Sequence, residues 1–220
     1  MTKKTFLGAM AVAMAVALTG SALVASNMGF KLNDTLAKSA GGADQGQNTL
    51  ALPDNRQTGL NDAKNLMDDI GSVNVLEVDR YIKASNSFQA YTGRKGGGLA
   101  FPLLSGEGNF VKMSTTVNYI VVGSDDPTLV YTLAKGAGAL GDQGQNFFAY
   151  NYHQTAADAK ALMDDIGSAN VNTVARYIKA TNSFATYKGR QGGGTAFGLT
   201  PGEAYFVRMN TTINYTPSHY

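Results

Sequence analysis

Two stretches repeat the same helical pattern of apolar positions. Ala159, Leu162, Met163 and Ile166 follow one another at helical spacing behind Thr155 and Asp158, and Gly167 ends the run. One face of a short amphipathic helix is predicted, with Thr155 and Asp158 as a capping box. Ala63, Leu66, Met67 and Ile70 repeat the spacing before Gly71, with Gly59 where the later copy has Thr155. After each helix the period shortens towards two. Val75 to Ile82 is rich in β-branched residues, Lys83 to Ser87 has turn composition, and Phe88 to Tyr91 is extended again, which predicts a hairpin. Ala204 to Met209 and Thr211 to Tyr215 read as closing strands after Pro201-Gly202, a pair suited to a type II turn. Thr49 to Leu52 and Phe147 to Tyr150 read as strands ahead of the helices.

These patterns recur because the chain is written twice. Asp62 to Tyr119 lies on Asp158 to Tyr215 without a gap at an offset of 96, and about two-thirds of the aligned positions are identical. Upstream, Asp44 to Asn48 matches Asp142 to Asn146 at an offset of 98. The expected class is α+β, predominantly β: two tandem homologous modules, each a small antiparallel sheet or barrel-like unit with one short helix. The modules are placed at 27–123 and 124–220, joined at the turn-rich stretch Gly123 to Pro127.

Leu162-Met163-Asp164-Asp165-Ile166-Gly167, the hairpin from Arg176-Tyr177 to Ser183-Phe184, and Leu199 to Val207 carry a resemblance. Together they resemble a tandem repeat module of bacterial secreted and cell-surface proteins that has no defined activity. The resemblance implies an extracellular setting and no catalytic residue. The first copy departs from it at Ser105 and Asn109, where the second has Pro201 and Tyr205.

Residues 1–26 run from Lys3 and Lys4 through an apolar stretch, Phe6 to Leu18, to small residues. This order reads as a secretion signal cleaved after Ala22, Ala25 or Ser26. The rival reading is a retained anchor, since Phe6 to Ala25 reaches the roughly 20 residues that a membrane span needs. The expected location is extracellular or at the cell surface, with no stable membrane insertion once the signal is removed. Lys and Arg total 18 against 16 Asp and Glu. Without Lys3 and Lys4 the balance is zero, so the long-range field that draws nucleic acid is missing. With no Cys and two His, thiol chemistry and a His-rich metal centre drop out.

Four features remain as candidate chemistry. Asp68-Asp69 and Asp164-Asp165 oppose the helix dipole in the last turn, a cost offset by pairing with Arg80 or Arg176, by simple solvation, or by a hard cation such as Ca²⁺. Arg94 and Arg190 lie in the glycine runs Gly93 to Gly98 and Gly189 to Gly194, whose backbone N–H groups suit an anion or simply connect strands. Phe147, Phe148, Tyr150 and Tyr152 occupy both faces of one strand, as a doubly buried strand or as an aromatic contact patch. That segment has no charge and no Pro, unlike its counterpart with Pro53, Asp54 and Arg56, so its edge invites pairing. The counterpart of His153 in the first module is not a His, and a carboxylate pair such as Glu107 with Asp69 stays open, because its geometry is a matter of spatial separation. No enzyme, cofactor or metal is expected. The function read from these residues is a secreted structural or adhesive protein that assembles with itself or another surface component through strand edges. The alternative is an extracellular carbohydrate- or ligand-binding module using the aromatic strand and the Arg loops.

Overall fold

A computed structural model of the chain describes residues 29–39, 45–93, 97–136, 144–189 and 192–219. The expected export segment, Arg94 and Arg190 lie outside these residues. The protein is α+β and predominantly β, in two similar modules. The first comprises β1 (Phe30–Leu36), β2 (Gln47–Ala51), β3 (Asn55–Arg56), α1 (Ala63–Ile70), β4 (Val75–Ile82), β5 (Ser87–Tyr91), β6 (Gly108–Met113) and β7 (Val117–Ser124). The second comprises β8 (Tyr131–Leu133), β9 (Gln145–Ala149), α2 (Ala159–Ile166), β10 (Val171–Ile178), β11 (Ser183–Tyr187), β12 (Ala204–Met209) and β13 (Ile213–Tyr215).

Each module has an antiparallel four-stranded sheet, β2-β6-β4-β5 or β9-β12-β10-β11, and a smaller one, β1-β7-β3 or β8-β13. Pairings between these strands join residues within 30–124 or within 131–215. The helix turns its apolar stripe into the core that the strands of its module share. Leu66 and Leu162 are fully buried, with Val78, Val111 and Phe101 in one core and Val174, Val207 and Phe148 in the other. Eight residues are too few for a stable isolated helix, so burial sustains it.

The helix caps differ from the expected capping box. The side chains of Asp62 and Asp158 accept from the N–H of Asn65 and Ala161, both at 2.8 Å. Asp at the N-cap supplies an acceptor to an orphan N–H and a negative charge where the dipole is positive. Thr155 instead donates its hydroxyl to the Ser218 carbonyl at 3.2 Å, which anchors the chain end.

The modules meet across an approximate two-fold relation. Tyr81 lies edge-on to Phe206 at 5.2 Å, and Tyr177, the equivalent of Tyr81, lies edge-on to Phe110, the equivalent of Phe206, at 5.4 Å. The Ala51 N–H donates to the Gly202 carbonyl at 2.7 Å, and the Ala149 N–H to the Gly106 carbonyl at 3.0 Å. Contact i-to-j matched by j-to-i is the signature of an isologous interface, here formed inside one chain. Phe110, Phe147, Ala204 and Phe206 form its buried apolar centre. Gly108 is required there: a Cβ would lie 2.3 Å from that of Ala204 and 3.0 Å from the Phe147 ring.

Candidate functional site

The turn of each hairpin is a single 3-10 turn, Lys83–Ser85 or Lys179–Thr181, closed by a residue in the left-handed region. Asn86 (φ 49°) and Asn182 (φ 48°) fill that position, and Asn tolerates it better than most residues. Each Asn side-chain oxygen accepts from the hydroxyl of Tyr81 or Tyr177, at 2.7 and 2.8 Å. The turns are thereby held rigid at the module interface.

Where the first hairpin overhangs the second module's sheet, a cleft of about 390 Å³ opens. Tyr81, Phe88, Phe184 and Phe206 supply ring surface, and Lys188 and Arg208 supply positive charge. Phe88 and Phe184 are 52% and 49% exposed, whereas Phe206 is buried. The rings hold one another edge-on: Tyr81 with Phe88 at 5.5 Å, and Phe184 with Phe206 at 5.6 Å. Among the described residues no carboxylate lines the cleft. In the first module the positions of Thr173, Ala175 and Lys188 are Glu77, Asp79 and Thr92, so one half of the interface is acidic where the other is basic.

The aromatic segment picked out in the sequence faces inwards. Phe147, Phe148 and Tyr150 are buried and only Tyr152 is exposed, stacked on Phe30 at 5.0 Å. Alternation sends Phe148 into its module's core and Phe147 into the interface. The Tyr150 hydroxyl donates to the carbonyls of Gln154 and Ala156 at 2.9 and 2.6 Å. The edge of β9 is occupied too, by a bridge between Glu107 and Phe148. These three rings therefore give no free surface to an outside partner: Phe148 and Tyr150 fill their own module's core, and the other module covers Phe147. In the glycine runs, Gly98 and Gly194 lie against the carbonyls of Ala90 and Thr186, where a Cβ would come within 2.4 and 2.2 Å. Close approach to β5 and β11 thus accounts for a glycine in each run.

Arg80 and Arg176 do not serve the Asp pairs. Their guanidinium groups lie over the rings of Phe101 and Phe197 at 5.1 and 5.0 Å. Lys64 pairs with Asp68 at 2.6 Å and Lys160 with Asp164 at 2.5 Å, while Asp69 and Asp165 accept from the hydroxyls of Tyr119 and Tyr215 at 2.8 and 2.5 Å. Among the described residues no three His, Cys, Asp or Glu side chains converge as a metal centre. Both the backbone N–H and Nδ1 of His153 approach Asp125 Oδ2, at 2.8 and 3.3 Å. Glu107 lines a separate cavity of about 370 Å³ with Lys83 and Tyr131, and Asp69 does not line it.

Several carboxyls titrate high. Burial, reinforced by nearby Asp125, pushes Asp54 to about 6. Burial and then the neighbouring Glu77 push Asp79 well above the carboxylate range, and burial raises Asp125 and Glu107. Among the described carboxyls with a shift, Asp126, held down by Thr128, alone moves the other way. A carboxyl whose folded pKa exceeds its unfolded value near 4 favours folding at low pH, and that contribution fades as pH rises through the folded pKa. Stability is therefore expected to fall between about pH 4 and pH 7, by about 2 kcal/mol for Asp54. Urea denaturation at pH 4.5 and 7.5 checks this. Asp54→Asn should flatten the dependence, and a rise in stability over that interval would contradict it.

The residues that sequence reasoning missed are the cleft-lining Tyr81, Phe88, Phe184, Phe206, Lys188 and Arg208. A signal existed in the unequal charge of equivalent repeat positions, but it takes the two-fold docking to place them together. Comparison of the chain with protein-family models, with curated proteins and with solved structures finds no match.

Proposed function

We propose that this is a secreted contact protein, a structural or adhesive component of the cell surface or matrix that associates with its own copies through strand edges. The observation that carries this reading is the chemistry of the outer strands. β5 (Ser87-Phe88-Gln89-Ala90-Tyr91) and β11 (Ser183-Phe184-Ala185-Thr186-Tyr187) end their four-stranded sheets and contain neither charge nor Pro. Edges of that composition lack the residues that usually block pairing with another chain. Gly98 and Gly194 lie against Ala90 and Thr186, so the first three residues of each strand form the contact. The neutral balance of the chain without Lys3 and Lys4 lowers repulsion between copies.

Light scattering from micromolar to millimolar protein, with electron microscopy of the concentrated sample, is expected to show concentration-dependent association. Ser87→Lys with Ser183→Lys places charge at both exposed edge positions, and this variant should stay monomeric with unchanged melting. A wild-type protein that is monomeric throughout refutes self-association. A second reading, ligand binding, is favoured by the aromatic cleft between the modules.

A further inference from the structure

We propose that the module interface is a heterotypic docking surface: the face of the first module takes the face of the second, from its own chain or from a second copy of this chain, and rejects a face of its own kind. This surface is distinct from the strand edges and independent of edge association. Gly108 and Ala204 are equivalent positions, the first residues of β6 and β12, and they face one another. A residue that meets its own equivalent lies on the two-fold axis. The axis holds one Cβ and has no room for a second. A Cβ at position 108 would lie 2.3 Å from that of Ala204, well inside the contact distance of about 3.5 Å. Two second modules would bring Ala204 against Ala204 and could not close.

A second divergent position excludes the other like pair. Thr49 and Phe147 hold the same place in β2 and β9, in register with Phe110 and Phe206. The Phe147 ring stacks on Phe206 of its own module at 4.4 Å and on Phe110 of the other at 4.8 Å. Two first modules would have Thr49 there and no ring to stack across the interface. Like pairs thus collide or lose the central aromatic contact, and the unlike pair does neither. The same contacts can form between chains, because strand pairing stays within 30–124 or within 131–215 and each module presents its face without borrowed strands. The short connection at residues 125–130 raises the effective concentration of one module at the other to the order of millimolar. Docking within the chain therefore dominates in dilute solution, and a copy whose own docking is blocked accepts the unlike module of another.

Sedimentation and calorimetry of full-chain variants test the proposal, all carrying Ser87→Lys and Ser183→Lys so that edge association does not contribute. Gly108→Leu blocks the face of the first module and Phe147→Lys that of the second. Neither position belongs to its own module's core, and far-UV circular dichroism checks that both variants fold. Each alone is expected to melt in two transitions and to sediment as a monomer up to about 1 mM. Mixed in equal amounts, they should form a heterodimer of twice the mass, the intact second module of one on the intact first module of the other. Gly108→Ala should also split the melting transition, and adding Ala204→Gly should rejoin it, since one Cβ again occupies the axis. Failure of that rescue would overturn the steric lock, as would self-association of Gly108→Leu, which would show second modules pairing with each other. Separate melting of both blocked variants with no heterodimer in the mixture would overturn the second copy as a partner. A single docked transition in both would overturn the role of these positions.

Discussion

Phe206→Ala is expected to cost about 3 to 5 kcal/mol and to split one unfolding transition into two. Phe206 is 7% exposed and its ring touches Tyr81, Phe88, Phe110, Phe147 and Phe184, three of them on the other module. Truncation leaves a cavity at the centre of the interface, where rings stacked at 4.4 Å on Phe147 and 4.8 Å between Phe147 and Phe110 have no substitute neighbour. Each module keeps its own core, so the loss falls first on docking. Calorimetry should show two endotherms where the parent protein has one. A single transition displaced by less than about 1 kcal/mol would mean that backbone hydrogen bonds such as Ala51 to Gly202 hold the modules together without the rings.

Leu162→Ala is expected to cost about 2 to 5 kcal/mol. The side chain is fully buried against the sheet of its module, and a helix of eight residues has no surplus stability with which to close around a void. Asp158→Ala, which removes the cap of the same helix, should cost only about 1 kcal/mol, because water can serve the freed N–H. Chemical denaturation of the two variants separates packing from capping. Equal losses would show that α2 is held by its terminus more than by its apolar face.

Much of the local structure was legible in the residues. The spacing of Ala159, Leu162, Met163 and Ile166 marks α2 from its first residue to its last, and Ala204 to Met209 coincides with β12. Helix and strand periods are properties of neighbouring residues, so a single sequence reveals them. The same holds for the α+β class and the doubled layout. The stop at Gly167 (φ 101°) and the turn at Gly202 (φ 92°) follow from glycine's access to positive φ.

Wherever two distant segments had to be placed against each other, the sequence left the choice open. Thr155 and Asp158 both suit a cap, and only the path of the chain end, which brings the Ser218 carbonyl to Thr155, leaves the cap to Asp158. Asp69 and Asp165 needed a partner, and the return of β7 and β13 supplies Tyr119 and Tyr215 in place of the arginines nearer in sequence. The segment Phe147 to Tyr150 reads as a doubly buried strand or as a contact patch. Packing decides for core: Phe148 and Tyr150 fill their own module, while the two-fold docking buries Phe147 and covers the edge of β9. That docking also sets Lys188 and Arg208 beside Phe88 from the other copy. Alternation along a strand states that a residue has a face, whereas what covers that face depends on residues about a hundred positions away, and only the tertiary structure brings them together.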